Sequence, residues 1–297
     1  MNMATEPAFN GKLLRNEPMS RHCSWRAGGC ADLYYEPVDA EDLAMFLKTL
    51  APGTPITWLG LGSNLLVRDG GVRGVVISVL NRLKTLKKLG NGQVYAECGV
   101  TCASLARFCQ KNNLADAEFL AGIPGTVGGA LTMNAGAFGF ETWNFVESVD
   151  MFNRSGELRQ RQANEFEVAY RSVQKQDDEW FAAGYLRFPT TPAEHGSNIT
   201  TLLRRRNDSQ PIGQPSCGSV FMNPPGDYSA RLIEACGLKG YCIGGACVSE
   251  KHANFIINSD NATAADIENL IHEVRQRVKD KFGIELRTEV RIIGEPA

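Results

Sequence analysis

Ser219 stands where this chain could do chemistry. It lies in Ser216-Cys217-Gly218-Ser219-Val220-Phe221-Met222-Asn223-Pro224, a small-residue turn bracketed by apolar residues and proline. Taken alone, Gly-Ser-Val is an ordinary strand start. Two glycine-rich segments change its meaning: Gly60-Leu61-Gly62-Ser63-Asn64, running into Leu65, and Gly122-Ile123-Pro124-Gly125-Thr126-Val127-Gly128-Gly129. Consecutive backbone N–H groups converge on one anion only where the chain accepts positive φ and no side chain blocks the approach. Ser63 and Thr126 add hydroxyl donors, and neither segment carries an acid to repel a diphosphate. Either segment alone reads equally well as a tight turn. Both together, each beside strand signals, favour a pyrophosphate and an enzyme with a large nucleotide cofactor.

The elements that would position these groups alternate between strand and helix without a repeat period. Asp39 caps a short helix with acids in its first turn, and Ile56–Leu59 is a strand entering the first glycine segment. Leu65–Arg68, Asp69-Gly70-Gly71 and Val72–Ile77 then read as strand, turn, strand. A dinucleotide fingerprint of the Rossmann type needs a helix directly after its glycines and a third glycine in register, and both are missing. Further on, Gln93–Cys98 is a strand, Thr101 caps a helix through Leu105, Phe108 and Cys109, and strands are expected at 145–152 and 167–169. The polar, turn-rich stretch 189–198, with Thr190, Thr191, Pro192, His195, Gly196 and Ser197, is the expected main boundary. In the α+β unit beyond it, Thr263 to Asp266 forms a capping box with Asp in place of Glu. Ile267, Leu270, Ile271, Val274, Val278 and Phe282 then recur at helical spacing as a core face.

Composition narrows the class. At 297 residues the chain is long enough for roughly two to three domains. With 31 basic and 33 acidic residues it offers no polyanion-binding excess, so nucleic acid is not an expected partner. Nine cysteines (23, 30, 98, 102, 109, 217, 236, 242 and 247) form no CxxC pair, and several have apolar neighbours; they read as reduced thiols of a cytoplasmic protein rather than a disulfide or zinc framework, with no metal site expected. The segment from Met1 to His22 has the pattern of neither signal peptide nor anchor, and no apolar run approaches a bilayer span.

Nine motifs then occur in order. Gly62-Ser63-Asn64-Leu65-Leu66, the Gly122–Gly129 segment, Asn134-Ala135-Gly136-Ala137 and Tyr170-Arg171 are followed by Arg206-Asn207-Asp208-Ser209-Gln210-Pro211 and Gly218-Ser219-Val220-Phe221. Asn223-Pro224, His252-Ala253-Asn254-Phe255-Ile256 and Glu289-Val290-Arg291-Ile292-Ile293-Gly294 complete the series. From about Ser20 to Gly294 it resembles the UDP-N-acetylenolpyruvoylglucosamine reductase family, flavoenzymes of bacterial peptidoglycan precursor synthesis. The resemblance implies an α+β fold. Residues 20–190 would form a two-lobed FAD-binding module of the vanillyl-alcohol-oxidase (PCMH) type, with lobes at about 20–80 and 81–190. Residues 199–297 would be a substrate-binding domain whose last strand returns toward that module. It implies noncovalent FAD reduced by NADPH, and UDP-N-acetylglucosamine enolpyruvate as the small-molecule substrate, with no obligatory protein partner.

Matched positions make Ser219 the proton donor, with Arg171 and Glu289 as its catalytic companions. Gly60, Gly62, Ser63, Asn64, Leu65, Gly122, Ile123, Pro124, Gly125, Thr126, Gly128 and Gly129 would bind the cofactor, and Asn134, Arg206 and Asn223 the substrate. Two departures stand out. The short interval from Arg171 to Ser219 marks the compact class, without an inserted substrate-covering segment, and position 222, often basic in relatives, is Met. His252 sits beside a buried strand and reads as structural. An FAD-dependent oxidase on the same module, a Rossmann dehydrogenase and a catalytically silent nucleotide-binding regulator remain the alternatives.

Overall fold

The computed structural model describes residues 9–190 and 199–297. The expected boundary at 189–198 therefore falls, from Thr191 through His195 to Asn198, outside the described residues. In chain order the regular elements begin with β1 (Lys12–Pro18), β2 (Cys30–Glu36), α1 (Ala40–Thr49), β3 (Ile56–Leu59), β4 (Leu65–Val67) and β5 (Val72–Ser78). They continue with β6 (Leu86–Lys88), β7 (Gln93–Glu97), α2 (Cys102–Lys111), α3 (Val127–Met133), β8 (Gly136–Ala137) and β9 (Phe140–Glu141). Next come β10 (Val146–Asn153), β11 (Leu158–Gln162), β12 (Glu167–Ala169), β13 (Ser172–Gln174), β14 (Glu179–Arg187) and α4 (Ile199–Ser209). The last are α5 (Ser229–Ala235), β15 (Cys242–Ile243), β16 (Ala246–Val248), β17 (Ile256–Asn258), α6 (Ala264–Phe282) and β18 (Arg291–Ile293).

These elements pack as two units. The first takes the chain up to Leu14, then Leu33–Gly60 and Gly74–Leu202; the second takes Arg15–Asp32, Leu61–Arg73 and Leu203–Ala297. In the first, one sheet runs β1-β2-β5-β3, with β3 parallel to β5 from Ile56 opposite Val75 to Leu59 opposite Ser78. Asp39 starts α1 by accepting the Asp42 N–H on its side chain. The helix then buries Leu43, Phe46 and Leu47 against Tyr35, Val75 and Ile77, each such side chain contributing about 1.5–3 kcal/mol. Asp42 is buried beneath, where its carboxylate accepts the Tyr35 hydroxyl and the N–H groups of Gly11 and Val38. Burial alone would raise its pKa, but Tyr35 and the backbone donors outweigh it and hold the pKa down. The second sheet of this unit, β11-β10-β14-β7-β6, is antiparallel throughout. Gly184 in β14 leaves room for Leu131, which seats α3 on the sheet.

In the second unit β15, β16 and β17 form an antiparallel sheet, and β18 runs parallel to β4 with Arg291 opposite Leu65 and Ile293 opposite Val67. Helix α6 opens with the Thr263–Asp266 capping box and stops at Gly283, whose φ of 68° ends it in a left-handed turn. Its face of Ile267, Leu270, Ile271, Val274 and Val278 is buried with Trp25, Leu66, Val220 and Phe221. The Asp69 carboxylate accepts the N–H groups of Ala264 and Ala265 and so ties β4 to the start of α6. One expectation fails here. Cys242 and Cys247, read as thiols, form a disulfide, because the Gly244-Gly245 turn sets them directly opposite across β15 and β16. Cys98, Cys102, Cys109 and Cys217 are free and buried, and burial pushes the last three up to about 12. No helix among the described residues is long and apolar enough to cross a membrane.

Candidate active site

The candidate residues fall into two groups, one in each unit. In the second unit Ser219 follows Gly218, whose φ of 71° turns the chain sharply and whose missing Cβ would meet nothing within 4 Å. That turn faces open space. The segment behind it is held on both sides. Val220 donates its N–H to the Asn254 carbonyl at 2.9 Å, and its carbonyl accepts the Glu289 N–H at 2.8 Å. Phe221 bridges to Thr288, and Met222 N–H donates to the Arg287 carbonyl. Ser219 and Glu289 thus sit on adjoining segments whose register is fixed by this isolated bridge and the backbone bonds on either side of it. Asn64 anchors the second of these: its Nδ2 donates to the Glu289 carbonyl at 3.1 Å, and its own carbonyl accepts the Arg291 N–H at 3.0 Å.

The loop Leu61–Asn64 belongs to the same unit. Gly62 has a φ of 69°, and a Cβ there would strike the His22 carbonyl oxygen at 1.9 Å, so only glycine fits. Gly62 is buried, yet its N–H and those of Leu61, Ser63 and Asn64 meet no acceptor among the described residues. A buried N–H without a partner is uncommon in a folded protein. Leu61 is exposed and Ser63 and Asn64 are half-buried, so Gly62 is the buried member of this run of four donors, and successive N–H groups around a positive-φ glycine are a geometry an anion would satisfy. Cys217 links the loop to the Ser219 turn, its thiol lying 3.8 Å from the Gly62 carbonyl oxygen and 3.3 Å from that of Leu65.

The second glycine segment, in the first unit, is built differently. Thr126 caps α3, which begins at Val127 within the glycine run rather than beyond it. The N–H groups of Ile123, Gly125, Val127, Gly128 and Gly129 already donate to Leu120, Ile123, Val100 and Cys98 carbonyls and to the Thr126 hydroxyl. None of its glycines has positive φ. Here glycine serves close packing: a Cβ on Gly122 would meet the Phe138 ring at 2.5 Å, and one on Gly128 the Cys98 Cβ at 2.8 Å. Likewise a Cβ on Gly60 would meet the Thr126 hydroxyl at 2.5 Å. Gly129 differs, with only that hydroxyl near, at 3.8 Å.

Arg171 occupies the two-residue turn between β12 and β13, next to Tyr170 and opposite the Ala169–Ser172 pair. Its φ of 56° is a left-handed conformation, costing about 1–3 kcal/mol in a residue other than glycine. The guanidinium lies over the Tyr170 ring and donates to the Gly136 carbonyl at 3.1 Å and the Asn134 carbonyl at 3.4 Å. Asn134, expected against the substrate, is 2% exposed. Its side chain donates to Glu141 and to the Ala169 carbonyl and accepts the Trp143 N–H, so within this unit it braces the hairpin that carries Arg171.

Of the other expected substrate contacts, Arg206 is half-buried in α4, donates to Gln210, and has its pKa pushed down by burial. Asn223 is exposed and accepts the Ser229 N–H at the start of α5. His252 accepts the Asn254 N–H on Nδ1 and packs edge-on against Phe255, with its pKa lowered by burial. Asn254 escaped the sequence reading. The only signal was its place inside the His252–Ile256 motif, which drew attention to the histidine instead. No cluster of His, Cys, Asp or Glu among the described residues could hold a metal ion.

Comparison with known proteins fits this arrangement. Residues 31–161 match the FAD binding domain model, and residues 210–293 match the C-terminal domain model of UDP-N-acetylenolpyruvoylglucosamine reductase. Among curated relatives, the UDP-N-acetylenolpyruvoylglucosamine reductase of Methylococcus capsulatus is 56% identical over 292 residues, covering 98% of this chain and 96% of the relative. That of Coxiella burnetii is 53% identical, covering 96% and 97%. The crystal structure of UDP-N-acetylenolpyruvylglucosamine reductase from Thermus caldophilus superposes with a TM-score of 0.81 at 29% identity, covering 95% of this chain and 98% of that one. The α+β fold with an FAD-binding domain agrees with these matches. With nearly the whole chain aligned to nearly the whole of each relative, this protein belongs to the UDP-N-acetylenolpyruvoylglucosamine reductase family.

Proposed function

We propose that this chain reduces the enolpyruvyl group of UDP-N-acetylglucosamine enolpyruvate to give UDP-N-acetylmuramate, with Ser219 supplying the proton. Its relatives are reductases and it carries an FAD binding domain, which supports an FAD-dependent oxidoreductase of peptidoglycan precursor synthesis with NADPH as the proposed reductant. Bound FAD would carry hydride from NADPH to the substrate. The Leu61–Asn64 donors would hold its diphosphate, with Gly60, Leu65 and the Gly122–Gly129 segment shaping the surrounding backbone. Residues 20–190 would serve as the FAD module and 199–297 as the substrate domain, working in the cytoplasm.

Hydride arriving at the terminal enolpyruvyl carbon leaves negative charge on the neighbouring carbon and its carboxylate. The planar, fork-shaped guanidinium of Arg171 suits that carboxylate. The Ser219 O–H bond then breaks as a C–H bond forms on the enolate carbon, and solvent returns a proton to the serine oxygen. A hydroxyl is a weak acid, but an enolate carbon is a strong base, so position governs the step. Glu289 would orient or polarise the carboxyl end. Arg206 and Asn223 remain the polar groups proposed for the rest of the nucleotide, and Asn134 would act through the Arg171 turn.

The observation that carries this reading is the fixed register of Ser219 beside Glu289, set by the Glu289 N–H on the Val220 carbonyl at 2.8 Å, behind a turn that faces open space. Purified protein should be yellow, NADPH should bleach it under nitrogen without the sugar nucleotide, and the enolpyruvyl nucleotide should restore the colour. Rapid reoxidation by oxygen with no response to the nucleotide would indicate an oxidase instead.

A further inference from the structure

Asn254 has no role in the reaction as drawn: it carries no charge and is 4% exposed. Its side chain nevertheless does what a neighbouring strand would do. Oδ1 accepts the Phe221 N–H at 3.0 Å, and Nδ2 donates to the Phe221 carbonyl at 2.8 Å. Its own carbonyl takes the Val220 N–H at 2.9 Å. Residues 287–290 pair with the other edge of the same segment through the Val220 carbonyl and the Met222 N–H. One residue therefore replaces a missing strand beside Ser219, and removing it would leave two buried polar groups of Phe221 unpaired, since Phe221 is itself 1% exposed.

We propose that Asn254 is a positioning residue for the proton donor: its amide fixes the backbone of Val220 and Phe221 and so sets where the Ser219 hydroxyl stands. The proposal rests on the reading of Ser219 given above. Misplacing a reacting group by about 1 Å costs about 10²-fold in rate, whereas flavin reduction by NADPH makes no use of Ser219. Loss of Asn254 should therefore slow only the half-reaction that consumes the enolpyruvyl nucleotide.

Asn254→Asp provides the test. A protonated aspartic acid can still accept from the Phe221 N–H and donate to the Phe221 carbonyl, but an ionised one sets an oxygen against that carbonyl. Among the described residues His252 is a titratable side chain hydrogen-bonded to Asn254, and because burial lowers its pKa the parent enzyme is measured at each pH as the reference. Stopped-flow reoxidation of the NADPH-reduced holoenzyme by the enolpyruvyl nucleotide is followed from about pH 5.5 to about pH 8.5, with flavin content, NADPH reduction and thermal midpoint recorded alongside. The expected result is a variant-to-parent ratio for reoxidation near one at the acid end and down by about tenfold or more at the basic end, with NADPH reduction unchanged. A ratio that stays flat in a folded, flavin-loaded variant overturns the proposal.

If Asn254→Asp does not fold, Asn254→Gln decides, because it keeps the amide and shifts it by one methylene. Slow reoxidation with normal reduction supports positioning, and parental reoxidation overturns it. Loss of fold in both variants also overturns it, leaving Asn254 a purely structural residue. Ser219→Ala run in parallel separates the two readings: parental reoxidation there removes the Ser219 assignment itself. In a Ser219→Ala background the pH effect of Asn254→Asp should vanish, since nothing remains to be positioned.

Discussion

The loop Leu61–Asn64 and the segment Gly122–Gly129 share a composition but not a design. In the first, four successive N–H groups point to no acceptor among the described residues, and Gly62 is required by its left-handed φ and by the His22 carbonyl. In the second, five N–H groups are already satisfied, and glycine is required where Phe138 and Cys98 press against the backbone. A glycine-rich run can thus be a set of waiting donors or a packing surface, and only the fate of its N–H groups tells which. On the proposal above, the first loop would bind the diphosphate directly and the second would contribute shape and the Thr126 cap.

Substitutions can break that contrast. The largest effect is expected from Ser63→Asp, which places a carboxylate among the waiting donors: flavin content of the purified protein, read by absorbance, should fall about tenfold or more while the apoprotein stays folded. Retention of flavin would remove the loop from the diphosphate. Gly62→Ala should destabilise by about 2–4 kcal/mol in chemical denaturation, from a left-handed alanine and the collision with His22. Gly128→Ala should cost about 1–3 kcal/mol through crowding at Cys98, and Thr126→Ala about 1 kcal/mol through loss of the cap on Gly129; neither should abolish flavin binding in protein that folds. The smallest effect belongs to Gly129→Ala, within about 0.5 kcal/mol, since its Cβ meets little. If that variant folds normally but loses flavin, the cofactor approaches the second segment as closely as the first, and the contrast collapses.

Local signals account for what the sequence made legible. Asp39, Thr101 and Thr263 each cap the helix expected after them, because a cap depends on residues within one turn. The strand-turn-strand after Gly62 is likewise present as β4 and β5. Features that depend on distant partners were hidden. Nothing near Gly128 reveals that its N–H meets the Cys98 carbonyl, and nothing near Asn254 reveals that its amide pairs with Phe221, 33 residues away. The Cys242–Cys247 pair was legible in principle, since Gly-Gly between short strands is a two-residue hairpin signal that puts the flanking positions opposite one another. Strands of two and three residues carry too little alternation to be noticed by pattern alone.

Ser219 is proposed to deliver the proton after hydride transfer. The most direct measurement is single-turnover reoxidation of NADPH-reduced enzyme by the enolpyruvyl nucleotide, comparing Ser219→Ala with the parent at saturating nucleotide. Loss of the hydroxyl should leave flavin content and NADPH reduction near normal and slow reoxidation by about 10²- to 10⁴-fold, with Ser219→Cys retaining part of the rate. Reoxidation of Ser219→Ala at the parent rate would contradict the account.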